Sequence, residues 1–379
     1  MERKDTALGR AAPSGAIPTV RRTAGTLGPS APPTPRAGLV LGIESSCDET
    51  AAAILAADGT ILAERVLSQI VDHAAFGGVV PEIAARAHLT ALDAMVKDAM
   101  REAGLAFSGL AAIAATAGPG LIGGLLVGTG YAKGAAIAAG VPYLAINHLE
   151  AHGLTARLPG MAAAQPAFPY LLLLLSGGHS QCVAVEGVGR YRLLGTTLDD
   201  AVGEAFDKSA KLLGLPYPGG PALEACAREG DATAVHLPRP LLHREGCDFS
   251  FSGLKTAVAQ LIAAEPPGPL SRQRAADIAA GFQSAVTDIL GDRLTHALAM
   301  CPDASAIIIA GGVAANTAIR TRLAEVAAGA KKPLIAPPLR LCTDNAVMVA
   351  WAGIERLNAG FASTLAVPCK PRWPLEQLA

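Results

Sequence analysis

The chain has 379 residues, of which 51% are hydrophobic, 17% charged and 4% aromatic, and this hydrophobic content excludes an intrinsically disordered protein. Its 41 glycines and 27 prolines follow no triplet period, which excludes a collagen-like fibre. The formal net charge is −1, so the composition lacks the basic excess of an autonomous nucleic-acid-binding domain. The seven cysteines include no Cys-x-x-Cys pair, which indicates free thiols and not a disulfide scaffold or a zinc knuckle.

Two biased segments bear on targeting. Residues 1–37 are rich in Ala, Pro, Gly, Ser and Thr, and we interpret them as a disordered extension before order begins at Gly38. No apolar run in them is long enough for a secretory signal, so we expect a cytoplasmic protein. Residues 121–146 are apolar but carry Lys133 near their middle, where a bilayer would make a charge expensive. This stretch is predicted to be a buried helix, a turn and a strand, without membrane contact.

In chain order, the predicted elements fall into two similar series. The first has strands at residues 38–44, 51–55 and 61–68, a helix at 81–103, a strand at 110–117, a glycine-opened helix ending near 139 and a strand at 141–146. The second has strands at 170–175, 181–186 and 191–195, helices at 201–213, 254–264 and 277–300, a strand at 306–310, a helix at 316–328, a short strand at 334–336 and a last helix at 344–358. The repeated order predicts an α/β protein with two similar lobes, each a mixed sheet covered by helices, and a ligand cleft between them.

Glycines directly follow two of the predicted strands. Gly177-Gly178 follows the strand at 170–175, and Gly311-Gly312 follows the strand at 306–310. Because glycine lets backbone N–H groups approach a ligand closely, this pair favours phosphate or nucleotide binding over simple sharp turns. The Gly-x-Gly-x-x-Gly match at 118–123 is a weaker signal, since no acidic residue follows at the spacing that a dinucleotide site needs. Close packing of a helix on a sheet is the alternative for that segment.

A pair of histidines suggests a metal site. His148 and His152 are four residues apart, so on a helix they differ by about 40° around the axis and can share an ion. Two ordinary core or surface histidines remain the alternative. Glu150 lies about 200° from His148 around such a helix, so it cannot serve as the base of a zinc peptidase. A third ligand must come from elsewhere, and Asp344 at a predicted helix start is a carboxylate candidate.

Acidic residues stand at two predicted turns. Residues 44–50 contain Glu44, Asp48 and Glu49 between two buried strands. A plain hairpin turn explains their polarity, but three carboxylates at one turn also suit a place beside a metal or a role in proton transfer. Asp199 and Asp200 precede the helix at 201–213, and either is expected to be its N-cap.

Eight segments together resemble the TsaD/Gcp family, the bacterial tRNA adenosine threonylcarbamoyltransferases and their archaeal and eukaryotic relatives. They occur in the family's order and extend over about residues 38–373. They are GIESSCDET, NHLEAH, LLSGGHS, DDAVGEAFDK, YPGGPALE, FSFSGLKTAV, GGVAANTAIR and CTDNAVMVAWAG. The resemblance implies the two-lobed actin/Hsp70/sugar-kinase (ASKHA) fold. The N-terminal lobe would span residues 38–146, completed by 348–373, and the C-terminal lobe residues 147–347.

The resemblance also implies a reaction. The threonylcarbamoyl group of threonylcarbamoyl-AMP would pass to the N6 amine of the adenosine just 3′ of the anticodon, in tRNAs that read codons beginning with A, and AMP would leave. One metal ion, iron with zinc as the alternative, would be held by His148, His152 and Asp344. The residues implied in adenylate binding are Leu174, Leu175, Ser176, Gly177, Gly178, Asp207, Gly220, Glu224 and Asn316. For the acceptor of the amine proton, our hypothesis is Glu44 or Asp48.

The family also implies partners, and it leaves alternatives to weigh. Bacterial members act with an inactive paralogous subunit, a small ATPase subunit and a separate enzyme that makes the adenylate, which would help explain the missing basic footprint for tRNA. Archaeal relatives place a Tyr where this chain has Leu174, so a fourth protein ligand from that position is not expected. A metal-dependent ATPase or small-molecule kinase of the same fold is disfavoured by the paired histidines. A peptidase is disfavoured by the position of Glu150.

Overall fold

Two five-stranded mixed sheets organise the chain in this computed structural model, which describes residues 38–74, 76 and 78–378. The expected disordered extension at residues 1–37 lies outside the described residues. The strands of the first sheet are β1 (Val40–Glu44), β2 (Glu49–Leu55), β3 (Ile61–Ser68), β4 (Ala112–Gly118) and β5 (Tyr143–Asn147). Their order is β3-β2-β1-β4-β5. β1, β2 and β3 form an antiparallel meander, and β4 and β5 add to β1 in parallel.

The second sheet repeats this topology. Its strands are β6 (Tyr170–Leu175), β7 (Ser180–Gly187), β8 (Arg190–Thr196), β9 (Ile307–Ala310) and β10 (Leu334–Ile335). Their order is β10-β9-β6-β7-β8, again an antiparallel meander extended by two parallel strands. The predicted duplication of a mixed sheet is therefore confirmed. Both central strands are buried on both faces, because helices cover each side of a sheet with parallel strands.

The helices connect and cover these sheets. They are α1 (Ile70–Ala74), α2 (Pro81–Glu102), α3 (Ile122–Ala139), α4 (His148–Leu154), α5 (Val202–Leu212), α6 (Gly219–Ala227), α7 (Ser252–Ala263), α8 (Arg272–Met300), α9 (Thr317–Gly329), α10 (Leu339–Cys342) and α11 (Ala346–Asn358). α11 packs on β1, β2 and β4 of the first sheet and also on α4. Gly42 permits this contact, since a Cβ there would overlap the backbone of Ala346 and Ala350. The return of the last helix to the first sheet agrees with an N-terminal lobe completed by the C-terminal segment. The lobe boundaries stay a prediction.

Helix α3 is long and apolar enough to cross a membrane by length and composition alone, with 33% of that window buried inside the fold. It packs on α2 and β4, and Lys133 donates a hydrogen bond to the carbonyl of Val367 (2.6 Å). A Cβ at Gly124 or Gly128 would overlap Ser45. These two glycines therefore let α3 pack closely against the turn after β1, which agrees with the close-packing interpretation of this segment.

Two helix starts differ from the sequence expectation because a distant carboxylate caps them. Asp199 accepts hydrogen bonds from the backbone N–H groups of Phe251 and Ser252 and from the hydroxyls of Ser250 and Ser252, at 2.6–3.2 Å. It thus caps α7 and not the helix that directly follows it. The N–H of Gly219 donates to Asp207 (2.9 Å), and Gly219 begins α6, a helix that is not predicted from sequence. Residues far apart in sequence satisfy the free N–H groups of both helices.

Candidate functional site

A cavity of about 770 Å³ lies between the two sheets. The turn after β1, the start of α4, the turn after β6 and the residues before α11 all line it. The lining residues foreseen from sequence are Asp48, Glu49, His148, Ser176, Gly177, Gly178, Asp207, Gly312 and Asp344. Chain segments that are distant in sequence therefore meet where parallel strands end, which is the place at which open α/β sheets bind ligands.

The three sequence-predicted metal ligands come together at one side of this cavity. His148, His152 and Asp344 each offer one ligand atom, and these atoms lie within 4.8 Å of one another. An Asp344 carboxylate oxygen lies 3.1 Å from Nε2 of His152 and 3.4 Å from Nε2 of His148. Asn147 caps α4 through its side-chain oxygen, which accepts from the N–H groups of residues 149 and 150, and this cap fixes both histidines on one helix face.

The Glu44 carboxylate orients His148 through the Nδ1 atom of its ring. It is fully buried, and it accepts hydrogen bonds from the Ser46 N–H (2.6 Å) and the Thr116 hydroxyl (2.6 Å). Oε2, the oxygen that accepts from Thr116, also lies 3.2 Å from Nδ1 of His148. A proton on Nδ1 therefore leaves the Nε2 lone pair of His148 directed at Asp344. Nε2 of His148 and the Asp344 oxygen are both electron-rich and lie 3.4 Å apart, so a cation or a proton is needed between them. The Glu44 carboxylate on the other ring nitrogen of His148 is a usual support for a metal-binding histidine.

The charges of the cluster are strongly coupled. Burial alone would raise the pKa of Glu44, but the charge and hydrogen bond of His148 hold it below its usual value. Burial alone would lower the pKa of His148, and Asp344 and Glu44 instead raise it well above its usual value. The pKa of Asp344 is lowered by both histidines against the opposing effect of burial. Two imidazoles with a carboxylate form a donor set that suits zinc or iron, and the residues present fit a metal ion.

Two further titratable groups lie beside the cluster: Glu49, one of the three turn carboxylates noted from sequence, and His179, to which no role was assigned from sequence. Burial, together with the charges of Asp344 and Asp48, raises the pKa of Glu49 to about 9. Burial, together with the charges of His148 and His152, lowers the pKa of His179 to about 4. Both residues line the cavity. Their positions after Asp48 and Gly178 were the available signal, but only burial makes them stand out.

The predicted adenylate residues do not all reach this cavity. Leu174 and Leu175 are fully buried inside β6, and neither is among the lining residues. Gly220, Glu224 and Asn316 are also absent from the lining of the cavity. Glu224 accepts from the N–H of Thr317 (3.0 Å), and Asn316 caps α9 and donates to Gln283 (2.8 Å). Glu224 and Asn316 therefore meet at the start of α9. Gly312, a few residues earlier in the chain, does line the cavity.

Glu150 is engaged away from the cavity, as its position on the helix predicts. It is fully buried, and it accepts from the N–H of Gly189 (3.0 Å), the hydroxyl of Tyr191 (2.9 Å) and the guanidinium of Arg356 (2.7 Å). All three of these hydrogen bonds come from the β7–β8 hairpin and α11. A peptidase mechanism with Glu150 as general base has no support in this geometry.

Comparison with known proteins identifies related sequences over most of the chain. The family model described as TsaD, tRNA N6-adenosine threonylcarbamoyltransferase, matches residues 60–351. A protein of that name from Granulibacter bethesdensis is 62% identical over 347 residues, which are 89% of this chain and 94% of the relative. The protein of the same name from Gluconobacter oxydans is 60% identical over 354 residues, 92% of this chain and 95% of the relative.

Comparison with solved structures agrees with the fold. HypF from T. kodakarensis superposes with a TM-score of 0.57 at 14% identity, over 85% of this chain and 48% of that one. A full-length HypF in a phosphate- and nucleotide-bound form gives a TM-score of 0.55 at 11% identity, over 84% of this chain and 46% of that one. Together with the duplicated sheets, these likenesses identify the ASKHA fold.

Proposed function

The chain belongs to the TsaD family and is a tRNA N6-adenosine threonylcarbamoyltransferase, and we propose that its donor substrate is threonylcarbamoyl-AMP, bound in the cavity between the sheets. The observation that carries this proposal is the meeting of the His148, His152 and Asp344 cluster with the glycine turn after β6 in one cavity. An acyl-adenylate needs both a backbone-rich wall for its phosphate and a positive centre beside it.

The glycine turn supplies the phosphate wall. Gly177 and Gly178 have open space where a Cβ would stand, so their backbone is accessible to a ligand. The Ser176 hydroxyl accepts from the N–H of His179 (3.0 Å), which holds the turn closed. In this proposal Leu174 and Leu175 contribute through the position of the β6 backbone. Asp207, Gly220, Glu224 and Asn316 would bind the ribose and adenine, which then extend past Gly312 toward the start of α9.

His148, His152 and Asp344 would hold the metal ion, for which we propose iron, with zinc as the alternative. When bound, the ion supplies positive charge that stabilises the departing phosphate. Glu44 keeps His148 in the orientation that this requires. Because Glu44 already accepts three hydrogen bonds inside the protein, we assign it a positioning role. Asp48 lines the cavity and is the better candidate to accept the proton of the attacking amine.

The acceptor would be the N6 amine of the adenosine just 3′ of the anticodon in tRNAs that read codons beginning with A. Outside residues 1–36 the chain has 25 basic and 30 acidic residues, so tight tRNA binding by the isolated chain is not expected. We propose that an inactive paralogous subunit and a small ATPase subunit complete the tRNA site, in the cytoplasm and without membrane attachment.

The test is transfer itself. Purified chain, the partner subunits, chemically made threonylcarbamoyl-AMP and unmodified tRNA are incubated, and the digested tRNA is analysed for threonylcarbamoyladenosine by mass spectrometry. We expect product with the wild type and at least a hundredfold less with His148→Ala, since one metal ligand is lost. Asp48→Asn should lower single-turnover transfer at unchanged metal content. Product formation that is independent of both residues would refute the assignment.

A further inference from the structure

A chain of buried polar side chains lies behind the cavity wall, and the mechanism above does not use it. Its members come from β2, from the residue after β3, from α1 and from α2, and each is at most 1% exposed. They are Thr50, Gln69, His73 and His88. Buried polar groups are costly unless hydrogen-bonded, so their arrangement calls for an explanation.

The first half of this hydrogen-bond network starts at a backbone carbonyl, which determines which atom donates in each following hydrogen bond. The carbonyl of Cys47 can only accept, so Nε2 of His88 (3.0 Å) carries the proton. Nδ1 of the neutral ring then accepts, and it receives the Thr50 hydroxyl (2.8 Å) and the side-chain amide of Gln69 (3.3 Å). Burial lowers the pKa of His88, which agrees with a neutral ring.

The second half of the network keeps the same order of donors and acceptors. Since the nitrogen of the Gln69 amide faces His88, its oxygen faces Nε2 of His73 (3.2 Å) and accepts from it. Nδ1 of His73 then accepts from the backbone N–H of Val80 (3.3 Å). One set of proton positions satisfies the whole chain, from Val80 at one end to Cys47 at the other. Such a fully satisfied network favours a single arrangement of the segments that it joins.

The network joins two chain segments that both line the cavity. Cys47, Asp48 and Glu49 line the cavity from the turn after β1, and Ile70, Gly78 and Val79 line it from the β3–α2 connection. A backbone hydrogen bond from the Gln69 N–H to the Asp48 carbonyl (3.0 Å) joins the same two segments.

We propose that Gln69, His73 and His88 are positioning residues that hold the turn bearing Asp48 and the β3–α2 connection together as one wall of the donor site. The network acts on the reaction through Asp48, so this inference rests on the proposed function. Loss of the network lets the two segments separate and moves Asp48 from its place beside the reacting amine.

A first experiment tests the network without the reaction. Hydrogen exchange of the Val80 amide is followed by NMR in the wild type, His73→Leu and His73→Asn. Val80 exchange should rise at least tenfold in His73→Leu, which removes its acceptor. His73→Asn offers an amide oxygen near the position of Nδ1 and should restore much of the protection. Equal protection in all three proteins would overturn the proposal.

A second experiment measures transfer by the full assembly with Gln69→Leu. Thr129→Val is the control, because Thr129 is also buried and its hydroxyl hydrogen-bonds the Leu125 carbonyl on α3 (2.6 Å) and the Cys369 thiol (3.0 Å), away from the network. Per folded molecule and at unchanged metal content, Gln69→Leu should lower kcat at least tenfold with a smaller change in KM for the adenylate, and Thr129→Val should stay within twofold of the wild type. A Gln69→Leu value equal to the control would overturn the proposal.

The two experiments separate this inference from the proposed function. If wild-type protein transfers nothing from threonylcarbamoyl-AMP, the proposed donor is wrong, and the Val80 exchange still decides whether the network holds the wall. If the wild type transfers normally but Gln69→Leu does too, only the positioning inference fails.

Discussion

Removal of one partner of the buried ion pair between Glu150 and Arg356 should be one of the most destabilising single changes at helix α4. Glu150 lies between the two histidines of α4 and is fully buried, and Arg356 on α11 is 8% exposed. Replacement of Glu150 by Leu leaves the guanidinium without its 2.7 Å partner and also strands the Tyr191 hydroxyl and the Gly189 N–H.

The magnitude follows from these losses. Removal of one member of a buried pair costs about 3–5 kcal/mol, mostly because the other charge stays buried and unpaired. About 340 ordered residues imply an unfolding entropy of about 0.7 kcal/mol/K, so Tm should fall by about 4–7 °C. Tyr191→Phe removes only one neutral donor to the same carboxylate and should lower stability by about 1 kcal/mol.

The assay is a double-mutant cycle with Arg356→Met, followed by thermal and urea unfolding. The double variant should be less destabilised than the sum of the single variants, because it removes the unpaired charge. Additive effects, or a Glu150→Leu protein as stable as the wild type, would refute the reasoning. Peptidase activity that disappears with the milder Glu150→Gln would show instead that this carboxylate is catalytic.

Three other predictions concern the metal, the α7 cap and tRNA. His152→Ala should lose most of its bound metal, as measured by elemental analysis. Tyr170→Phe, which removes a buried hydroxyl near α4, should keep its metal. Equal metal content in the two variants would refute the ligand set. Asp199→Ala should cost about 1–2 kcal/mol in urea unfolding at pH 7. Partial desolvation would raise the pKa of the exposed Asp199 carboxylate, but its hydrogen bonds hold that pKa below its usual value. This contribution therefore exists above about pH 4 and disappears as the pH falls through the lowered pKa. A difference between wild type and variant that widens in acid would contradict it. The isolated chain should bind tRNA only above micromolar concentration, and a tight complex in a filter-binding titration would show that no partner is needed.

The sheets were predictable because their signals are local. Apolar runs such as residues 170–175 and 306–310, followed by glycines, indicate buried strands wherever they occur, and their repetition revealed the duplicated fold. The spacing of His148 and His152 likewise indicated a shared face on one helix. Asp344 was one carboxylate candidate at a predicted helix start, but spacing alone would not have picked it, and the family resemblance joined it to the two histidines.

What sequence could not show depends on contacts between distant segments. Asp199 looks like the cap of the helix beside it, but it caps α7, about fifty positions further along the chain. Glu44 looks like a turn residue with a free carboxylate, and burial with three donors turns it into a support for His148. The proton order through Gln69 requires four segments to meet, and no local pattern encodes such a meeting.

The placement of α11 has a consequence for how the protein is made. One face of the first sheet, formed by residues such as Val40, Ala53 and Ala112, is buried against this helix near the end of the chain. While the ribosome is still translating the second lobe, that face has no cover of its own. Asp344 stands 192 positions after His152, so the cluster of His148, His152 and Asp344 is incomplete until the same late stage. Synthesis therefore yields an apolar sheet surface that needs protection first and a His/Asp cluster that is completed last.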